Sequence, residues 1–174
     1  MSAAERRVNL GCGDDVRDGW VNVDYRPGET GVGGDDVEPD VNQDLTETPW
    51  PFEDDAFDHA LMDNVLEHLP NATDAVREVA RIVEPGGTVE IRCPYPNNPS
   101  AHRTDHVRHI HPVEFLEGNY LYDGLFEVAD WELSRVRLGR VFPSDESALW
   151  VCDTFGLFGI DEWSVTLRIL DADD

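Results

Sequence analysis

Residues 58–93 constrain the fold of this chain more than any other stretch. Asp58 to Met62 (DHALM) reads as a strand that runs straight into DNVLEHLP. From Asn71 the apolar residues take helical spacing: Val76, Val79, Ala80 and Val83 share one face, while Arg77, Glu78 and Arg81 fall elsewhere. Glu84-Pro85-Gly86-Gly87 is a proline and glycine terminator for that helix. Val89, Ile91 and Cys93 then alternate as a strand that Pro94 ends. A strand, a helix and a second strand in this order require a crossover connection, and hence a parallel sheet.

The rest of the chain extends that sheet on both sides. Val8 to Leu10 is a short buried strand leading into Gly11-Cys12-Gly13, and Trp20 to Asp24 alternates apolar and polar residues like a second strand. Residues 26–40 are rich in glycine, proline and acid, the composition of a loop. Short extended pieces are expected around Val41 and Leu45, before the turn-rich PWPFEDDAF. Pro112 to Glu117 looks like the start of a helix, with Pro112 in its first turn. Two closing strands, Trp131 to Val141 and Ser164 to Leu170, are expected to form an antiparallel pair. No repeat and no linker divides the chain, so residues 1–174 read as a single domain.

Acidic residues number 37 against 13 basic ones, for a net charge of −24, and every basic residue is arginine. Five tryptophans and periodic apolar runs exclude a disordered acidic tail. Dispersed aspartate without lysine matches the habit of salt-loving archaea, and it argues against nucleic acid as a partner because phosphates would meet a repulsive surface. Cys12, Cys93 and Cys152 form no CxxC pair, so neither a disulfide framework nor a zinc finger is expected. With no signal peptide and no apolar run of spanning length, a soluble cytoplasmic protein without a membrane partner is expected.

Taken in order, Gly11-x-Gly13 after one strand, Asp24 ending the next, Asp44-Leu45 before PWPF, FDHALMDNVLEHL and EPGGTVEIRCP resemble the class I S-adenosylmethionine-dependent methyltransferases. The likeness is to the small group with LEHL after the fourth strand, and it covers roughly residues 8–115. It implies a Rossmann-like three-layer α/β sandwich, mostly parallel, with an antiparallel C-terminal hairpin. It also implies S-adenosylmethionine as cofactor, held by Asn9, Gly11, Cys12, Gly13, Asp24, Tyr25, Asp44, Leu45 and Asn64. Within that set, Gly11 and Gly13 would let the cofactor lie against the backbone, and Asp24 would accept hydrogen bonds from the ribose hydroxyls. Asp44 would take the adenine amine with Leu45 on the ring, and Asn64 would border the methionine part. Only seven residues separate Gly13 from Val21, so the first helix must be shortened to a turn or two. Val16 stands where a dinucleotide fingerprint has its third glycine, which disfavours an NAD enzyme.

AHRTDHVRHIHP, residues 101–112, holds four of the six histidines. It resembles the segment that borders the acceptor pocket in the same family. Methyl transfer needs an aligned nucleophile and a group to take its proton, so His106 is the first candidate base, then His109 and His68. Arg92, Tyr95 and Arg108 are candidates to orient the acceptor, whereas Glu67 reads as a brace for the following helix. The expected activity is methyl transfer to a small-molecule acceptor. The alternatives are a non-catalytic protein that binds S-adenosylmethionine or S-adenosylhomocysteine, and a metal-binding protein built on the His102–His111 loop. No recognised metal-site pattern is complete, so no metal is expected. Nothing in the sequence fixes the oligomeric state. The charge carries a prediction of its own. Self-repulsion is screened by salt, so the urea midpoint should rise from dilute buffer to molar potassium chloride; a flat midpoint would show that the acids do not strain the fold.

Overall fold

The computed structural model describes residues 5–25, 38–116, 124–135, 142–155 and 159–171. Seven strands form one sheet: β1 (Arg7–Leu10), β2 (Val21–Asp24), β3 (Val41–Asn42), β4 (Phe57–Asp63), β5 (Val83–Pro94), β6 (Phe126–Arg135) and β7 (Ile160–Ile169). Their order across the sheet is β3-β2-β1-β4-β5-β7-β6. The first five run parallel, and β7 pairs antiparallel with both β5 and β6. Helices α1 (Ala72–Ile82), α2 (Val113–Leu116) and α3 (Asp145–Phe155), with short 3-10 turns at Leu66–His68 and Pro99–His102, complete the described elements. No described helix is long and apolar enough to cross a membrane.

The expected strands are present, and the differences from expectation are instructive. Leu45 lies in a turn, because the extended piece ends at Asn42. The loop expected at 26–40 falls mostly outside the described residues, as does the end of the strand expected to reach Val141. Helix α3 has no counterpart in the sequence reading; its apolar residues Ala148 and Cys152 are buried, but aspartate and tryptophan interrupt the stripe. Helix α1 passes into β5 with no loop at all. Its last residue is Ile82, and Val83 already pairs with Phe57. The register then jumps to His59 opposite Thr88, so Glu84-Pro85-Gly86-Gly87 is a bulge carried within the strand and not a separating turn.

The connection from β1 to β2 departs further. Residues 11–20 contain turns and no helix, yet Val8 pairs with Val21 in parallel. Short side-chain ties do the work of the missing helix. Asn9 Nδ2 donates to the Asp15 carbonyl at 2.7 Å, and Asn22 Oδ1 accepts the Arg17 N–H at 2.9 Å. Both asparagines are buried. The Trp20 ring meets His59 edge-on at 5.3 Å and lies under the guanidinium groups of Arg7 and Arg17. The principal core lies among Val8, Leu10, Val23, Ala60, Met62, Val89 and Ile91 of the sheet and Ala75, Val76, Val79 and Ile82 of α1.

Glu78 was expected away from the apolar face of α1 but is only 8 % exposed. Its Oε1 accepts the Trp50 N–H at 2.7 Å and an Arg81 N–H at 2.6 Å. Arg81 also donates to the Phe52 carbonyl and to Asp54. The PWPFEDD turn is thereby fastened to the helix. Burial pushes the Glu78 carboxyl up, and the hydrogen bonds from Arg81 and Trp50 outweigh it and bring it below the usual glutamate range. A depressed carboxylate contributes stability that is complete above the unfolded value and lost as pH falls through the folded one. Glu78→Ala should therefore cost about 3 kcal/mol at neutral pH, and less in acid. Urea unfolding of both proteins across the acid range checks this; a cost that does not shrink with falling pH would contradict it.

Candidate functional site

The sheet's topology selects one place for a ligand. From β1 the chain moves outward through β2 and β3, then returns to β4 on the other side of β1. The loops that leave β1 and β4 in opposite directions open a crevice at the carboxyl ends of the strands. A cavity of about 310 Å³ lies there, lined by Gly11, Asp24, Tyr25, Gln43, Asp44, Leu45, Asn64, Val65, His68 and Leu69.

Two backbone positions shape its floor. Gly11 has φ +68°, and a Cβ there would stand 2.6 Å from Val65 Cγ2. Glycine is thus required both by the left-handed conformation and by the close approach of the turn after β4. Asn64 has φ +54°, a conformation that asparagine tolerates better than most residues. Beside this floor, Asp24 is held at the tip of β2. One carboxylate oxygen accepts the Gly13 N–H and the other accepts the Tyr25 N–H. The Asp44 carboxylate accepts the backbone N–H and the hydroxyl of Thr46, and Gln43 Nε2 donates to the carbonyls of Asp44 and Glu47. The loop after β3 is therefore folded around its own polar groups.

Of the nine residues expected to hold the cofactor, Gly11, Asp24, Tyr25, Asp44, Leu45 and Asn64 line the cavity. Asn9 and Cys12 are buried beneath the turn, and Gly13 contributes its N–H to Asp24. Gln43, Val65 and Leu69 were not anticipated. Val65 precedes and Leu69 ends the LEHL motif within DNVLEHLP, and both could have been found from that stretch, whereas nothing in the sequence distinguishes Gln43. Among the candidate bases, His68 lines the cavity and the His106 ring packs edge-on against it at 4.7 Å. His109 meets His102 edge-on instead and is exposed. Tyr95 is buried against Asp153 and His111, and Arg92 is paired with Glu90 and Asp63, so neither lines this cavity.

Across the sheet, the carboxyl ends of β3, β2, β1 and β4 and the turns that follow them carry Asp44, Asp24, Gly11 and Asn64 in that lateral order. Residues 19–91 match the family model described as Methyltransferase domain. The structure is similar to a chain from the complex between the Haloferax volcanii Trm112 methyltransferase activator and a methyltransferase. That match has a TM-score of 0.61 and 20% identity, and covers 97% of this chain and 84% of that one. A SAM-dependent methyltransferase from Archaeoglobus fulgidus matches with TM-score 0.61 and 16% identity over 95% and 86% of the two chains. The chain has the class I methyltransferase fold. A [4+2]-cyclase, SpnF, matches equally well, with TM-score 0.63 and 17% identity over 98% of this chain and 77% of that one, so the methyltransferase fold also carries other chemistry.

S-adenosylmethionine is the cofactor that the domain match and these neighbours imply. The lining residues fit it: carboxylates for hydroxyls and an amine stand beside apolar walls from Leu45, Val65 and Leu69, over a glycine floor with no side chain.

Glu67 behaves differently from the brace expected of it. Its backbone carbonyl does brace the histidine loop, accepting the N–H groups of Val107 at 2.9 Å and Arg108 at 3.3 Å. Its side chain fastens no other element: the residue is 2 % exposed, and neither carboxylate oxygen makes a hydrogen bond of normal geometry among the described residues, with only the weak donor of the Cys93 thiol and the residue's own N–H beside it. Burial is the main force raising its carboxyl above the ordinary glutamate range, and it pushes the neighbouring Cys93 thiol up as well. A raised carboxyl keeps its proton longer in the folded state, so stability falls as pH climbs from the ordinary glutamate value through the raised one. In chelator, Glu67→Gln should remove that slope and gain about 1–3 kcal/mol at neutral pH, read from urea midpoints. A loss of stability would mean that the carboxylate is satisfied after all.

Proposed function

We propose that this protein transfers a methyl group from S-adenosylmethionine to a small-molecule acceptor. The observation that carries the reading is the lateral order Asp44, Asp24, Gly11, Asn64, which parallels the adenine, ribose and methionine parts of that cofactor. When bound, the cofactor supplies an electrophilic methyl carbon on a sulfonium centre.

The chain's own residues bind and orient it. Asp24, its carboxylate already aimed by the N–H groups of Gly13 and Tyr25, accepts the two ribose hydroxyls with its remaining lone pairs. Asp44 takes the adenine amine, and Leu45 and Leu69 cover the ring. The bare backbone at Gly11 admits the methionine part, which Asn64 borders. The acceptor enters on the side of His68 and His106. Each of these rings uses Nδ1 toward a backbone carbonyl, Asp105 at 3.0 Å and Ala101 at 3.2 Å, so Nδ1 carries the proton and Nε2 is left with its lone pair. Nε2 is the atom either ring offers to an acceptor's hydroxyl, amine or thiol.

Calorimetry of S-adenosylmethionine and S-adenosylhomocysteine in molar salt, with NAD as control, tests the reading. Asp24→Ala should weaken both methyl cofactors about tenfold to hundredfold while the circular dichroism spectrum is kept. Gly11→Val is a poorer test, because Val65 leaves no room for the added side chain. Folded wild-type protein that binds neither cofactor, or an Asp24→Ala variant that binds them undiminished, would overturn this site.

A further inference from the structure

We propose that Glu67, His68 and His106 hold a divalent cation of the zinc class at the acceptor side of the cavity. One donor atom from each of the three lies within 4.8 Å of the other two, the only such group among the described residues. The set is assembled by the fold and not by sequence spacing. Glu67 and His68 come from the turn after β4, and His106 comes from the loop after β5. The Glu67 carbonyl, bonded to the N–H groups of Val107 and Arg108, brings the two segments together.

Three further facts point to a cation. The Glu67 carboxylate is buried with no hydrogen bond of normal geometry on either oxygen and only the weak Cys93 thiol donor and its own N–H nearby, a costly arrangement that a positive ion would satisfy. Both imidazoles are held through Nδ1 by backbone carbonyls, the second-shell bond that orients a ligand histidine and keeps Nε2 free for a metal. Two imidazole nitrogens and one carboxylate oxygen are the donor set of an open, four-coordinate zinc site. The other described histidines of the loop are used differently: His102 and His109 pack edge-on against each other, and His111 bonds to Asp153 and Tyr95. His106 is thus the one member of the loop drawn into the cluster.

With the cation bound, the Nε2 lone pairs of His68 and His106 would be spent on it, and neither ring would take the acceptor's proton directly. Since His68 also lines the cavity, the cation's open position would instead receive an oxygen or sulfur of the acceptor and favour its deprotonated form. The assignment of the site itself does not depend on the methyl-transfer reading. Chelator-treated full-length protein in molar potassium chloride is titrated with Zn²⁺ by calorimetry and with Co²⁺ by visible absorption. Wild type should bind one equivalent, with cobalt bands of a four-coordinate site. Glu67→Gln and His106→Ala, each folded by circular dichroism, should weaken binding about tenfold or more. His102→Ala should bind as wild type does. Failure of wild type to bind either ion, or binding by both ligand variants at wild-type strength, overturns the proposal. Cofactor calorimetry on the same sample separates the readings: cofactor binding without metal sinks only the cation site, and metal binding without cofactor sinks only the methyl-transfer site.

Discussion

The three amide groups of Gly11, Cys12 and Gly13 converge on the end of the neighbouring strand. The first two donate to the Val23 carbonyl, at 2.8 and 3.0 Å, and the third donates to the Asp24 carboxylate. This small knot sets the cavity floor, aims Asp24 and closes the β1–β2 connection in a single set of bonds. It is possible only because Gly11 can take a left-handed conformation close under Val65. A helix elsewhere in such a fold would have delivered β2 by hydrophobic docking. Here the strand is delivered by hydrogen bonds to Asn9, Asn22 and Asp24, with Trp20 as a lid over the connection.

That substitution divides the sheet's two faces. Around α1 the residues are apolar and tightly buried, and the helix enters β5 without a loop. On the side of the β1–β2 connection, the register partners Asn9 and Asn22 occupy positions that a crossover helix would otherwise press upon. Buried amides are tolerated there because the turn backbone at Asp15 and Arg17 satisfies them.

The parallel core of the fold was legible because its signals are periodic: Val89, Ile91 and Cys93 alternate, and Val76 and Val79 fall on one helical face. The residues that the family resemblance assigns to the cofactor fall mostly around one cavity for a different reason, since residues at strand ends are brought together by strand order. What escaped the sequence depends on partners distant along the chain. Glu78 reads as a surface acid until Trp50 and Arg81 are seen around it. Glu67 reads as a helix brace, and only the fold sets its carboxylate beside a histidine 39 positions later in the sequence, His106. Helix α3 was missed because its burial comes from packing on β7 and not from a clear apolar stripe.

Strand β6 stands last in the sheet among the described residues, with β7 as its one neighbour there. Its exposed positions carry Glu127, paired with Arg168 of β7, together with Asp130 and Glu132. Two of its amides are already taken, the Trp131 N–H by the Asp130 carboxylate and the Leu133 N–H by Asp145. In concentrated salt, where long-range repulsion between molecules is screened, the rest of the border would invite a second sheet to dock. These carboxylates act at contact distance instead: a docking strand would have to strip their hydration, a penalty that screening does not remove. The acidic composition thus has a local duty that outlasts its electrostatic reach, keeping the sheet's open border wet.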